Sequence, residues 1–133
     1  MSGYTVANLK ELQDTAGEHG PGLESRFGRK HLESEHLGVS YFRYAPGFRL
    51  DTGHSHREQE EAYVVVNGGG RLKLDDEIIE VRQWDVIRVA AGVFRGFEGG
   101  AEGLEIVAVG SDRPEGGDGV HTQGFWDQQT RLD

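Results

Sequence analysis

The sequence predicts an all-β domain of short antiparallel strands, arranged as a barrel or a sandwich. Between Val39 and Val109, segments rich in β-branched and aromatic residues alternate with turn residues at intervals of about 8–12 residues. Glycine supplies 21 of the 133 residues, against a usual share of about 7%, and it follows no collagen period. A chain of this length is one domain, and its core is large enough to hold an interior site.

The start of the chain carries weaker signals. Residues 3–7 suit a short strand or an extended arm. Asn8, with Glu11 three residues later, has the form of a capping box and predicts a short helix over residues 9–14. A loop rich in glycine and proline is expected over residues 16–24.

Strands dominate the rest of the chain up to a polar, glycine-rich tail that starts at Ser111. Gly68–Gly70 predicts a turn, Asp75-Asp76 predicts the turn of a hairpin, and three glycines between residues 99 and 103 separate the last two strands. Phe125-Trp126 in the tail is expected to dock on the body of the domain. The predicted strands are Val39–Ala45, Arg49–His56, Glu61–Asn67, Arg71–Asp75, Glu77–Arg82, Val86–Val89, Val93–Glu98 and Leu104–Val109.

Charge and composition exclude several classes of function. The net charge of −9 argues against binding to nucleic acid or to anionic membranes, because both need a basic surface. The absence of cysteine excludes disulfides, thiolate metal sites and cysteine nucleophiles. No apolar run approaches the length of a membrane span or the core of a signal peptide, so we expect a cytoplasmic protein.

Two histidines give the strongest chemical signal. His54 and His56 lie two residues apart, so on a strand both imidazoles point to the same face. Glu61 can join them only if residues 57–60 turn and the next strand folds back beside the first. Glu60 is the alternative, since it is in phase with His56 if no turn intervenes. Two imidazoles and a carboxylate suit a divalent metal such as iron, manganese, nickel or zinc.

Residues 47–68, GFRLDTGHSHREQEEAYVVVNG, resemble the first motif of the cupin family. That motif has a glycine, two histidines one residue apart, a glutamate and a final glycine. His54, His56, Glu61 and Gly68 match it, and the spacer after Gly47 is one residue longer than usual.

The resemblance implies a cupin fold, an antiparallel jelly-roll barrel also described as a double-stranded β-helix. The barrel is expected over residues 38–110. Residues 1–37 would form an arm and a short helix packed on it, and residues 111–133 a polar tail. The resemblance also implies His54, His56 and Glu61 as metal ligands.

The second cupin motif is degraded. Trp84 stands where the family has glycine, Ala90 where it has proline, and Gly99 where it has asparagine. Arg95 replaces the histidine that is usually the fourth metal ligand. A guanidinium stays protonated and offers no lone pair, so Arg95 cannot bind a metal.

Two interpretations of Arg95 stay open. In one, His54, His56 and Glu61 hold a metal with open positions, and Arg95 binds an anionic group of the ligand. In the other, no metal binds, and Arg95 pairs with Glu61, because a buried carboxylate needs a compensating charge.

Three aromatic residues complete the candidate ligand-binding set with Arg95. Tyr63 shares the face of Glu61, Phe97 shares the face of Arg95, and Tyr41 lies on a strand face that can reach the interior. We expect a small-molecule ligand and no organic cofactor. The other four histidines are expected at the surface.

The sequence leaves two classes of function open. One is a metal-dependent oxygenase or isomerase; the other is a metal-free, non-catalytic ligand-binding or sensor cupin. Cupin relatives commonly form dimers, and free sheet edges need covering, so we expect a homodimer. The N-terminal arm would pair with the neighbouring subunit or fold back on its own barrel.

Overall fold

The structure is a computed structural model that describes residues 3–127, and it confirms the all-β class. Within these residues, eight strands form one strongly curled sheet in which the strand pairings are antiparallel. The helical segments are two short 3-10 helices, Leu9–Glu11 and Gly17–Gly22. The strands are β1 (Leu23–Phe27), β2 (Gly38–Tyr44), β3 (Gly53–His56), β4 (Glu61–Leu74), β5 (Glu77–Arg82), β6 (Val86–Val89), β7 (Arg95–Gly110) and β8 (Gly119–Thr122).

Two long strands join the halves of the barrel. The first half of β4 pairs with β6 and with residues 104–110 of β7, which in turn pair with β2. The second half of β4 pairs with β5 and with residues 95–99 of β7, beside which β3 and then β8 lie. Because β4 and β7 run through both halves, the sheet closes around an interior, as a jelly-roll does.

Glycines bend these long strands where they pass from one half to the other. The sequence predicts a turn at Gly68–Gly70 and a break between residues 99 and 103. Both predictions are wrong, because the chain does not reverse there: β4 continues through the first and β7 through the second. The register shifts on either side of Gly68, which has a φ of 71°. A Cβ on Gly70 would lie 2.0 Å from the carbonyl oxygen of Glu98. Glycine is needed here because the two backbones approach too closely for any side chain.

The turn before β6 is unusual. The hairpin predicted at Asp75-Asp76 joins β4 and β5, and Asp75 has a φ of 51°. At the following turn, between β5 and β6, Trp84 has a φ of 76°, an uncommon conformation for a bulky aromatic residue. This is the position at which the cupin motif has glycine.

The core lies inside the barrel and contains alternate residues of the central strands. Val65, Leu72 and Ile106 are fully buried, and Phe42 and Tyr44 of β2 pack against them. The period of two decides which residues face inward: in β2 these are residues 42 and 44, so Tyr41 faces outward.

The N-terminal segment packs on this outward face of its own barrel. Asn8 caps the 3-10 helix by accepting a hydrogen bond from the backbone of Lys10, so the predicted helix exists but is shorter than residues 9–14. The Lys10 ammonium lies 3.3 Å from Glu105 and above the ring of Tyr41. This contact buries Tyr41 although it points away from the interior. The arm therefore folds back on its own barrel, and its position does not require pairing with a neighbouring subunit.

The C-terminal segment adds β8 to the sheet and packs two aromatic residues against the barrel. Phe125 and Trp126 are buried, as the sequence predicts. The guanidinium groups of Arg49 and Arg71 lie 5.1 and 5.6 Å from the centre of the Trp126 ring. A Cβ on Gly53 would lie 2.5 Å from the ring of Phe125, so a glycine at this position makes room for the docked aromatic. Among residues 3–127, no helix is long and apolar enough to cross a membrane.

Candidate metal and ligand site

A cavity of about 750 Å³ opens inside the barrel. One wall is apolar and is formed by side chains of β2, β4 and β7. The rest of the lining, here called the polar wall, carries histidines from β3 and β8, the first residues of β4 and β7, and the residue just before β8. The polar wall includes His54, His56, Glu61, Arg95, Asp118 and His121.

His54 and His56 both line the cavity because they are two residues apart on β3. Their ring centroids lie 5.2 Å apart, and the rings meet edge to face. On the ladder, His54 is opposite Arg95 of β7 on one side and opposite His121 of β8 on the other.

Glu61 reaches the same point from the neighbouring strand. Residues 57–60 bend between β3 and β4, and Glu61 is the first residue of β4. Its Oε1 lies 3.2 Å from Nε2 of His56 and accepts a hydrogen bond of 2.6 Å from the Tyr63 hydroxyl. Ligand atoms of His54, His56 and Glu61 all lie within 4.8 Å of one another. Glu60, the alternative, lies outside and pairs with the exposed Arg88 at 2.9 Å.

Arg95 is completely buried beside this cluster. Its Nη2 lies 3.5 Å from Oε1 of Glu61, and its Nη1 donates a hydrogen bond to the carbonyl oxygen of Val93. Nε and Nη2 have no hydrogen-bond acceptor among the described residues. The site therefore contains a buried cation with two donor nitrogens that make no hydrogen bond to the described residues.

The other predicted ligand-binding residues divide into two groups. Tyr63 and Phe97 line the cavity, and their rings pack edge to face at 5.0 Å. Tyr41 lies on the outer side of the sheet, where its hydroxyl donates to Glu105. Its placement there corrects the expectation that it contacts a ligand, because β2 exposes its even-numbered residues to the cavity.

Sequence reasoning missed two residues of the polar wall. Asp118 falls in the predicted polar tail, yet it is buried and its Oδ1 lies 2.8 Å from Nδ1 of His56. His121 was expected at the surface; its ring is exposed but lies 6.1 Å from that of His54. The local signal at Asp118 is a carboxylate among glycines, GGDG, which is equally typical of a solvated loop.

The surroundings shift the pKa values of His54 and His56 in opposite directions. Burial lowers the pKa of His54 to about 4, and the positive charge of Arg95 acts in the same direction. The hydrogen bond with Glu61 raises the pKa of His56 despite partial burial, and Asp118 adds to this effect. Burial alone would raise the pKa of Glu61, but His56, Tyr63 and Arg95 together bring it below its ordinary value.

The donor set fits a divalent transition metal. Two imidazoles and a carboxylate on one side of an open cavity form the 2-His-1-carboxylate arrangement, which leaves coordination positions free. The second ring nitrogen of His56, Nδ1, contacts the carboxylate of Asp118, and metal-bound histidines usually have such a partner. The charge of Arg95 opposes a cation, so the fit improves when an anion also binds.

Comparison with solved structures identifies the fold. KdgF from Halomonas sp. superposes with a TM-score of 0.66 at 14% identity, over 87% of this chain and 98% of that one. A cupin protein from Bacteroides fragilis gives 0.69 at 19% identity, over 86% and 89%. Oxalate decarboxylase from Bacillus subtilis gives 0.66 at 25% identity over 81% of this chain, which spans only 30% of that protein.

The protein therefore has the cupin fold, as the resemblance of its first motif implied. No family model and no curated protein matches the sequence. The described residues thus form a cupin barrel whose cavity holds a cluster of two histidines and a glutamate.

The pKa of His54 predicts an acid-sensitive fold. The unfolded chain binds a proton at His54 below pH 6.5, whereas the folded protein does so only near pH 4. Acidification through this window therefore lowers the free energy of unfolding, by about 3 kcal/mol at roughly 1.36 kcal/mol per pH unit. Urea unfolding of the metal-free protein at pH 7 and pH 4 measures this, and His54→Gln should lose that part of the pH dependence. An unchanged pH dependence in His54→Gln would contradict the assignment.

Proposed function

We propose that this protein binds a small molecule next to a divalent transition metal held by His54, His56 and Glu61. The observation that carries the proposal is the convergence of their ligand atoms within 4.8 Å inside a cavity. Iron, manganese, nickel and zinc all suit this donor set.

The lining of the cavity supports an anionic ligand. Four cationic side chains face it, whereas its two carboxylates, Glu61 and Asp118, are already engaged by His56. This local charge contrasts with the net charge of −9 of the whole chain. Arg95, with two donor nitrogens that make no hydrogen bond, is the most buried of the four and is suited to a carboxylate or phosphate. The cationic residues are Arg29, Lys30, Arg95 and Arg113.

The apolar wall of the cavity supports a ligand with an apolar body. Phe42, Tyr44, Phe97 and Ile106 line the same cavity as Arg95. An amphipathic carboxylate with an aromatic or aliphatic body would satisfy both walls, since burial of its apolar part stabilises the complex by roughly 25 cal/mol per Å².

The reaction class we propose is a metal-dependent oxygenation or isomerisation. A bound metal of this kind supplies Lewis-acid polarisation of an oxygen ligand or a redox centre. Arg95 would orient the anionic group, and the Tyr63 hydroxyl, bonded to Glu61, would hold a proton beside the reacting atoms. Structural neighbours include a protein named oxalate decarboxylase and a polyketide cyclase from Streptomyces resistomycificus, so this fold carries more than one chemistry.

A second candidate function is a metal-free ligand-binding or sensor protein. The approach of Arg95 to Glu61, 3.5 Å between Nη2 and Oε1, favours it. In that case Arg95 neutralises Glu61 permanently, and the histidines contribute only hydrogen bonds.

Metal titration tests the main proposal. The purified protein, stripped with EDTA, should bind one Mn²⁺ or Zn²⁺ per chain, measured by calorimetry and elemental analysis. Affinity should fall on acidification, because the raised pKa of His56 lets protons compete with the metal. Glu61→Gln should weaken binding at least tenfold, whereas Glu60→Gln, its exposed neighbour, should not. Binding well below one metal per chain would leave the metal-free function standing.

Replacement of Arg95 by His separates the two functions. If a metal binds, Arg95→His restores a fourth ligand, so metal affinity rises while binding of benzoate, an aromatic carboxylate probe, weakens about tenfold or more. If Arg95 instead neutralises Glu61, the variant gains no metal affinity and loses on the order of 3–5 kcal/mol of stability. Arg88→His, on the exposed side of β6, is the matched control and should change neither quantity.

We further propose that the protein is a homodimer formed through the outer face of the sheet. Valines of β2, β7, β4 and β6 lie next to one another there and point away from the core. Val86 and Trp84 are 65% and 69% exposed. An apolar face of this kind is typical of a protein–protein contact. The strained backbone of Trp84 adds support, because strain of this kind clusters at functional positions. The valines are Val39, Val64, Val86, Val107 and Val109.

Light scattering measures the dimer directly. We expect twice the chain mass of 14.7 kDa at micromolar concentration. Val86→Asp should convert the protein to a monomer, because it places a charge in the apolar contact. Val6→Asp, a still more exposed apolar position on the N-terminal arm, should leave the dimer intact. A monomer mass for the unmodified protein at high concentration would refute the dimer.

A further inference from the structure

Asp118 connects the C-terminal segment to the proposed metal ligands. It precedes β8, 62 residues after His56 in the chain, and its side chain is 1% exposed. Its Oδ2 accepts hydrogen bonds from the backbone N–H groups of Glu58 and Gln59, at 3.0 and 2.8 Å. Its Oδ1 lies 2.8 Å from Nδ1 of His56. One carboxylate thus holds both the turn before Glu61 and the ring of His56.

The donors around Asp118 determine which nitrogen of His56 carries a proton. An ionised carboxylate only accepts hydrogen bonds, so the short contact to Oδ1 requires an N–H at Nδ1. Gln59 is the competing donor, with its Nε2 3.3 Å from the same Nδ1. The side-chain oxygen of Gln59 accepts from Arg29, which fixes the amide in this orientation. The contact to Asp118 is shorter and charge-assisted, so it prevails over Gln59. Glu61 is the competing acceptor at the other ring nitrogen, with its Oε1 3.2 Å from Nε2. The contact of Asp118 with Nδ1 is shorter, at 2.8 Å, so the single proton of neutral His56 lies on Nδ1.

We infer that Asp118 is a positioning residue that keeps the proton of neutral His56 on Nδ1 and leaves the lone pair of Nε2 facing Glu61 and the cavity. The effect of Asp118 on metal binding rests on the proposed function, whereas the position of the His56 proton does not. Carboxylates that accept from the second nitrogen of a metal-bound histidine orient the ring and fix its tautomer. The C-terminal segment would then be part of the site and not an appendage of the barrel.

The competing explanation is that Asp118 only stabilises the turn at residues 57–60. Asp118→Asn distinguishes the two, because the amide has the same shape. The two backbone N–H groups require an oxygen, so the Asn amide nitrogen must face His56 and donate to Nδ1. We therefore expect the His56 proton to move to Nε2, where it donates to Glu61 and blocks the lone pair. A purely structural role would leave the tautomer unchanged.

The tautomer is read by ¹⁵N NMR of the imidazole on metal-free protein at pH 9. The unmodified protein should carry its proton on Nδ1 and Asp118→Asn on Nε2. In Zn²⁺ titrations at pH 7.5 the variant should bind about 10–100-fold more weakly. The matched control is Asp51→Asn, because Asp51 anchors the same C-terminal segment through the N–H of Gly124 and does not contact the histidines. It should keep both the Nδ1 proton and the Zn²⁺ affinity.

The outcomes separate this inference from the proposed function. If the unmodified protein carries its proton on Nε2, the inference about Asp118 is wrong. This test needs no variant, so it remains possible even if Asp118→Asn does not fold. A variant that retains the Nδ1 proton, or binds Zn²⁺ within about threefold of the unmodified protein, also overturns it. If the unmodified protein binds no Zn²⁺, the proposed metal site fails, whereas the tautomer assignment is still decided by NMR.

Discussion

The carboxylate of Glu61, placed inside the barrel, is the constraint on which the rest of the site depends. Its side chain is only 13% exposed, and its Oε1 is approached by Tyr63, His56 and Arg95 at 2.6, 3.2 and 3.5 Å. An ionised carboxylate at this depth is stable only when it is compensated. The identity of each neighbour follows from that requirement: a hydroxyl that donates, an imidazole that gains a proton or a metal, and a guanidinium that stays charged.

The fold brings these groups together through its two long strands. Glu61 is the first residue of β4 and Arg95 the first of β7, and both strands cross from one half of the barrel to the other. Their paired glycine bends let the strands curl tightly enough for both first residues to reach the interior. The high glycine content is therefore a condition of the site, because straight strands would hold Glu61 and Arg95 apart.

What the sequence could predict was local. The period of two placed His54 and His56 on one face, and the bend at residues 57–60 followed from the need to return Glu61 to that face. The glycine bends were misread because glycine marks a reversal and a bulge equally well. Tyr41 was misplaced because the face of β2 that points inward is decided by its pairing with β7. Asp118 was missed because its partners lie about 60 residues away, and nothing in GGDG specifies them.

Arg95 stands where the cupin motif has a histidine, and this replacement makes the cavity more positively charged. A fourth imidazole would add a neutral donor, so the charge of a bound metal would be offset by Glu61 alone. Arg95 instead adds a permanent positive charge beside the cluster, while the other cavity carboxylate, Asp118, is already held by two backbone N–H groups and His56. A divalent metal and Arg95 together therefore leave the cavity with an excess of positive charge that no described residue neutralises. An anionic ligand would remove that excess, so under the proposed function binding of the metal and binding of the anion would reinforce each other.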